Sequence, residues 1–143
     1  MQYAYPVTFQ RDQNGTMIAL VPDVAGTMTV GADREEAFER VQGALVAMLA
    51  ARMEDRETTP RPSRPGRGQR VVVLQPVVAA KISIYQAMRG RQTTPEDLAR
   101  RLGWEESRVR RVLDVRRRSR LEDIEASLAA LGKRLIIEVK NAA

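Results

Sequence analysis

The sequence predicts an α+β chain made of two small domains, and three observations carry that prediction. Residues 3–10 alternate with the two-residue period of a strand and lead into an Asn-Gly turn. Residues 95–113 carry the spacing of a helix-turn-helix, and residues 58–69, rich in Pro and Arg, separate the two patterns.

In the first strand Tyr3, Tyr5, Val7 and Phe9 share one face, and Ala4, Pro6, Thr8 and Gln10 the other. Pro6 has no N–H to give a ladder, which predicts a free or irregular edge there. Asp12-Gln13-Asn14-Gly15 supplies the hairpin turn, because Asn and Gly accept positive φ at little cost. Residues 16–21 return as a second strand, and their unbroken apolar run predicts burial on both faces. Residues 27–30 form a third strand. Asp33 then caps a helix with Glu35 and Glu36 in its first turn, where the helix dipole favours them. Its apolar stripe is Ala37, Phe38, Val41, Ala44, Leu45, Met48 and Leu49. These elements define a domain over residues 1–57, with a further strand expected at 70–74.

Residues 58–69 contain three Pro, two Gly and no apolar anchor, and read as an exposed connector whose arginines keep it solvated. The second domain covers residues 76–143, opening with a helix over 77–88 that ends near Gly90. Thr94-Pro95-Glu96-Asp97 is a capping box with Pro at the first helical position. Ala99 is small where the next helix crosses, Gly103 supplies the positive φ of the turn, and Val109, Val112 and Leu113 pin the second helix of the pair. Trp104, in the turn, is expected to pack between helices. Ser119 is expected to cap a fourth helix over 121–131, with Leu121, Ile124, Leu128 and Leu131 on one stripe and Gly132 as its stop. A short strand over 134–139 places Leu135, Ile137 and Val139 on one face, and must dock on its own domain or on another subunit.

Composition narrows the chemistry. The 143 residues include no Cys and no His, which excludes thiol and imidazole catalysis and Cys- or His-liganded zinc. Nuclease chemistry on two metals needs converging carboxylates, whereas Asp12 lies in a turn, Asp23 in a loop and Asp33 at a helix cap. No catalytic residue, metal or cofactor is therefore expected. With no bilayer-length apolar run and no signal-peptide pattern, the expected location is the cytoplasm, without a membrane partner. The net charge of +6 is uneven: residues 1–57 carry −4, residues 58–70 carry +4 and residues 71–143 carry +6. The basic part suits nucleic acid.

Together these features resemble the HicB-type antitoxins of toxin–antitoxin systems. At the N-terminus the resemblance rests on Tyr5-Pro6-Val7, the hairpin, Val21-Pro22-Asp23-Val24-Ala25-Gly26 and Glu35-Glu36-Ala37. At the C-terminus it rests on Lys81 with Tyr85-Gln86-Ala87-Met88, on Leu98-Ala99-Arg100-Arg101-Leu102-Gly103, on Val109-Arg110-Arg111-Val112-Leu113-Asp114 and on Ala130-Leu131-Gly132-Lys133-Arg134-Leu135. The resemblance implies a partial ribonuclease H-like N-terminal domain, without catalysis, that blocks a HicA-like mRNA-cleaving toxin. It further implies a C-terminal domain that binds the operator of its own operon and represses it. An acidic N-terminal face would suit a toxin that is itself basic to hold RNA. Where members of the family usually place Ser and Gln at the start of the recognition helix, this chain has Glu105 and Glu106, which favour the helix dipole and repel phosphate. Two other readings are a stand-alone transcriptional repressor with a ligand-sensing or dimerisation domain, and a residual nuclease.

On the second hairpin helix Ser107, Arg110, Arg111 and Asp114 fall on the outer face. Arg110 and Arg111 are the candidates for guanine edges or phosphates, with Arg108 beside them. Arg116, Arg117, Arg118 and Arg120 follow in the next loop and suit phosphate. Thr94, at a helix N-terminus, is a further phosphate candidate. One helix-turn-helix reads few base pairs, so a homodimer or higher homo-oligomer is expected, with residues 135–137 as its adhesive edge.

Overall fold

The computed structural model of the chain describes residues 3–142. It divides into two compact units, Met1–Ala79 and Ala80–Ala143.

In the first unit the predicted first strand is parted at Val7 into β1 (Ala4–Pro6) and β2 (Thr8–Arg11). β1 pairs antiparallel with β5 (Val71–Val73), while β2 pairs antiparallel with β3 (Met17–Leu20), which in turn pairs with β4 (Met28–Gly31). Hydrogen bonding explains the break. The Tyr3 carbonyl accepts from Leu74 at 3.0 Å and the Val7 N–H donates to Arg70 at 2.9 Å, both toward β5. The Asp12 N–H donates to Thr16 at 2.8 Å, toward β3. Alternate residues of one extended segment therefore serve opposite neighbours, and Val7 is where one neighbour gives way to the other. Pro6 faces Val71 at a position that exchanges no backbone bonds, so its missing N–H leaves no gap in that ladder.

β3 corrects one expectation. Met17 and Ala19 are buried while Ile18 and Leu20 are half-exposed, so the strand buries one face, as half-covered antiparallel strands do. Helix α1 (Arg34–Glu54) packs on β3 and β4. The Asp33 side chain accepts from the Glu36 N–H at 2.9 Å, as expected of the cap. Ala37, Val41, Leu45, Leu49 and Ala50 are buried, and Phe38, Ala44 and Met48 are half-buried. The first turn lies so close to β4 that a Cβ on Gly31 would collide with the Ala37 backbone nitrogen, which explains the glycine there.

The segment over 58–69 is exposed along most of its length and is anchored at several points. Thr59 is buried, the Tyr5 hydroxyl donates to the Pro60 carbonyl at 2.7 Å, and Ser63 donates twice to the Asp23 carboxylate, at 2.7 and 3.0 Å. Gln69 donates to the Val7 carbonyl at 3.2 Å and Arg70 pairs with Glu35 at 2.7 Å. Short polar anchors thus hold the segment where apolar ones are lacking. With it in place, the unit spanning residues 1–79 has nine Arg and nine Asp or Glu, hence no net charge. The acidic balance counted over residues 1–57 is cancelled by Arg61, Arg64, Arg67 and Arg70.

The second unit contains most of α2 (Pro76–Gly90), then α3 (Pro95–Leu102), α4 (Glu106–Leu113) and α5 (Leu121–Ala130). Its core joins Ile84 and Met88 of α2, Leu98 and Ala99 of α3, Val109 and Val112 of α4, and Ile124, Leu128 and Leu131 at α5. Trp104 is half-buried against this core, as expected. Gly103 (φ 68°) and Gly132 (φ 74°) hold the left-handed conformation that ends α3 and turns the chain just past α5.

Three expectations fail here. Arg120, not Ser119, occupies the cap position of α5 and makes no side-chain cap bond, since a guanidinium has no acceptor; the Ser119 hydroxyl instead accepts from Lys81. Leu121, in the first turn of α5, is exposed rather than part of the buried stripe. Residues 134–139 form no strand, and no strand among the described residues pairs with them. Leu135 packs on the core, but Ile136, Ile137 and Val139 are 73%, 64% and 92% exposed.

Candidate nucleic-acid interface

α3 is closed at its start by the predicted box. The Thr94 hydroxyl accepts from the Asp97 N–H at 3.1 Å, and the Asp97 carboxylate accepts from the Thr94 N–H at 3.1 Å. Those bonds hold the Asp97 carboxyl below the usual carboxylate range. The Thr94 N–H and hydroxyl are thus engaged by Asp97 of the same chain, with Glu96 beside it in the first turn.

Ser107, Arg110, Arg111 and Asp114 are all exposed on α4 and its cap, as their spacing predicted, but the arginines differ sharply. Arg108 is clamped. Its guanidinium meets the Asp123 carboxylate at 2.7 and 3.3 Å and lies 4.0 Å over the Trp104 ring. This contact ties α4 to α5 and holds the Asp123 carboxyl below its ordinary value, chiefly through the hydrogen bond from Arg108. Arg110 pairs with Glu106 at 2.6 Å and with Glu96 at 3.2 Å. Glu96 is in turn held low, first by its hydrogen bond with Glu106. Glu105 sits at the cap position of α4 and makes no cap bond. Arg111, Arg117, Arg118 and Arg120 are exposed and carry no ion pair among the described residues. Arg116, also exposed, donates its backbone N–H to the Asp114 side chain at 3.0 Å.

What orders the arginine-bearing loop is a residue that spacing alone did not single out. Lys81 of α2 is fully buried, and its Nζ lies within bonding distance of the carbonyls of Arg111 (3.1 Å), Asp114 (2.8 Å) and Arg117 (2.8 Å) and of the Ser119 hydroxyl (2.8 Å). One ammonium thereby draws together carbonyls at the end of α4 and in the turn that follows, and fixes that turn. Burial pulls its pKa below that of an ordinary lysine, with Asp114 opposing the change. The available signal was a cation at helical spacing between Val78 and Met88.

Among the described residues no group of three His, Cys, Asp or Glu could hold a metal ion, and no helix is long and apolar enough to cross a membrane. In class, then, the chain is a small two-unit α+β protein whose helical second unit concentrates the positive charge. Residues 4–83 match the family model described as the HicB-like antitoxin of bacterial toxin–antitoxin systems. Antitoxin HicB 2 of Photorhabdus laumondii subsp. laumondii is 34% identical over 131 residues, which are 92% of each chain. Antitoxin HicB 1 of the same organism is 29% identical over 136 residues, covering 95% of this chain and 86% of that one. Antitoxin HicB of Escherichia coli K12 is 27% identical over 131 residues, covering 92% and 95%. The chain belongs to the HicB-like antitoxin family, the antitoxins of bacterial toxin–antitoxin systems.

Proposed function

We propose that the second unit binds operator DNA of the chain's own operon, with α3 and α4 acting as a helix-turn-helix, and thereby represses it. The first unit, on the same reading, is a reduced ribonuclease H-like module that binds and neutralises a HicA-like mRNA-cleaving toxin rather than cutting RNA itself. The observation that carries the DNA half is the Lys81 cluster. It holds the end of α4 and the following turn in one geometry, so that Arg111, Arg116, Arg117, Arg118 and Arg120 are presented without having to be ordered on binding. On this reading Arg111 reads base edges and the loop arginines meet phosphate, while Arg110 must first exchange its carboxylate partners.

The first unit has no net charge, so shape and local contacts rather than bulk acidity support its part in toxin binding. The exposed Ile136, Ile137 and Val139 support a homodimer in which the last segments of two copies pair, giving two reading heads half-sites apart. The test is anisotropy of the full chain with the DNA upstream of its own gene against a scrambled duplex. A preference on the order of 10³ is expected, and equal affinity for both would refute operator binding. In parallel, the chain titrated against RNA cleavage by the product of the adjacent reading frame should stop cleavage near stoichiometry.

A further inference from the structure

We propose that the outer edge of β5 is where the partner toxin docks, by adding an extended strand with a basic side chain opposite Glu39; this rests on the reading of the first unit as the toxin-binding part. The pairing of β5 with β1 fixes which backbone groups are used. The Arg70 carbonyl and the Leu74 N–H bond toward β1, so by alternation Val72 does as well, and the N–H and C=O groups of Val71 and Val73 point the other way. Among the described residues no strand pairs with that side, and Val73 is 57% exposed.

The opposite edge of the unit is treated differently. At β4, Arg40 donates to the outward carbonyl of Val30 at 2.9 Å, and Glu36 accepts from the Ala32 N–H at 3.3 Å just past the strand. Side chains thus blunt one edge against pairing and leave the other bare, which is how an edge reserved for strand addition differs from one that is guarded.

The surroundings of β5 define the occupant. Phe38, Glu39 and Gln42 of α1 face Val71, Val72 and Val73 across a groove of about 440 Å³. Arg70 lies 3.8 Å over the Phe38 ring and neutralises Glu35, whereas Glu39 has no ion pair among the described residues. A strand added here would bond with the outward groups of Val71 and Val73, rest apolar side chains on the valines, and place Lys or Arg against Glu39. A toxin that handles RNA carries such basic side chains by necessity.

The deciding experiment is residue-resolved amide exchange on the full chain, alone and with the product of the adjacent reading frame. In the free chain the Val71 and Val73 amides exchange rapidly; in the complex they slow by at least about tenfold, while the outward amides of Met28 and Val30 do not change. Val73→Pro removes one outward N–H without touching the β1 ladder, and Glu39→Lys reverses the groove charge. Each should weaken inhibition of the toxin about tenfold or more with an unaltered circular dichroism spectrum. A complex in which the Val71 and Val73 amides remain as fast as in the free chain overturns edge docking and leaves toxin binding standing, whereas no complex at all overturns both. Exchange in the unmodified chain decides the matter even where a variant does not fold.

Discussion

Two arginines three residues apart on α4 have different work. Arg108 is spent on Asp123 and Trp104, whereas Arg111 is exposed with no ion pair among the described residues. Arg108→Ala should lower the thermal midpoint and leave DNA binding unchanged; Arg111→Ala should leave the midpoint unchanged, cost about 1–3 kcal/mol of operator affinity and relax specificity at the base it reads. Because Arg108 holds the Asp123 carboxyl low, the stability it contributes is present above the unfolded carboxylate value and lost as pH falls through the folded one. Denaturant midpoints of wild type and Arg108→Ala should therefore converge on acidification. Tyr5 behaves in the opposite sense. Burial, followed by Tyr3 and Asp23, raises its pKa to about 12, so its contribution is whole below the unfolded value of about 10 and lost as pH climbs toward 12. Tyr5→Phe should cost about 1 kcal/mol at neutral pH, by loss of the bond to Pro60, and that difference should shrink in alkali. Lys81→Met would leave the Arg117 carbonyl without its partner, at about 1–3 kcal/mol for a buried group left unsatisfied, while the Arg111 and Asp114 carbonyls keep their bonds from the Asp114 and Arg117 N–H groups. A loss of under 1 kcal/mol in urea denaturation would show that the cluster is dispensable.

At the scale of elements, the parts that read well from sequence are those whose determinants are local. Thr94, Pro95, Asp97 and Gly103 delimit α3 within ten residues, and Asp33 marks the start of α1, because caps and left-handed turns need only neighbouring residues. What escaped depends on partners remote in sequence. The break at Val7 arises because β5, some sixty residues on, competes with β3 for the same segment. The Lys81 cluster was hidden because its acceptors are mostly carbonyls, which every residue has. Ser119 resembled a cap, yet a buried ammonium had the stronger claim on its hydroxyl. Residues 134–139 have a strand's alternation and no strand to join. These facts set the result of truncation. A fragment ending at Arg56 lacks β5 and the Pro60 acceptor, leaves Tyr5 bare, and should fail to show a cooperative melt, whereas one ending at Ala79 should melt cooperatively by circular dichroism.

For the whole molecule, charge is the property that separates the two units. The first is neutral and the second holds the full net +6, fifteen basic against nine acidic residues. The claim that this excess is an operator-binding surface is tested most directly by the salt dependence of affinity for the DNA upstream of the chain's own gene. It should be measured for the full chain and for Arg111, Arg117, Arg118 and Arg120 changed together to Ala. Each phosphate contact contributes about −0.9 to the slope of log affinity against log salt. The variant should keep its fold, since none of the four side chains makes an ion pair among the described residues, and its slope should be shallower by roughly 3. An unchanged slope in a folded variant would contradict the account and place the DNA contacts, if any exist, elsewhere on the chain.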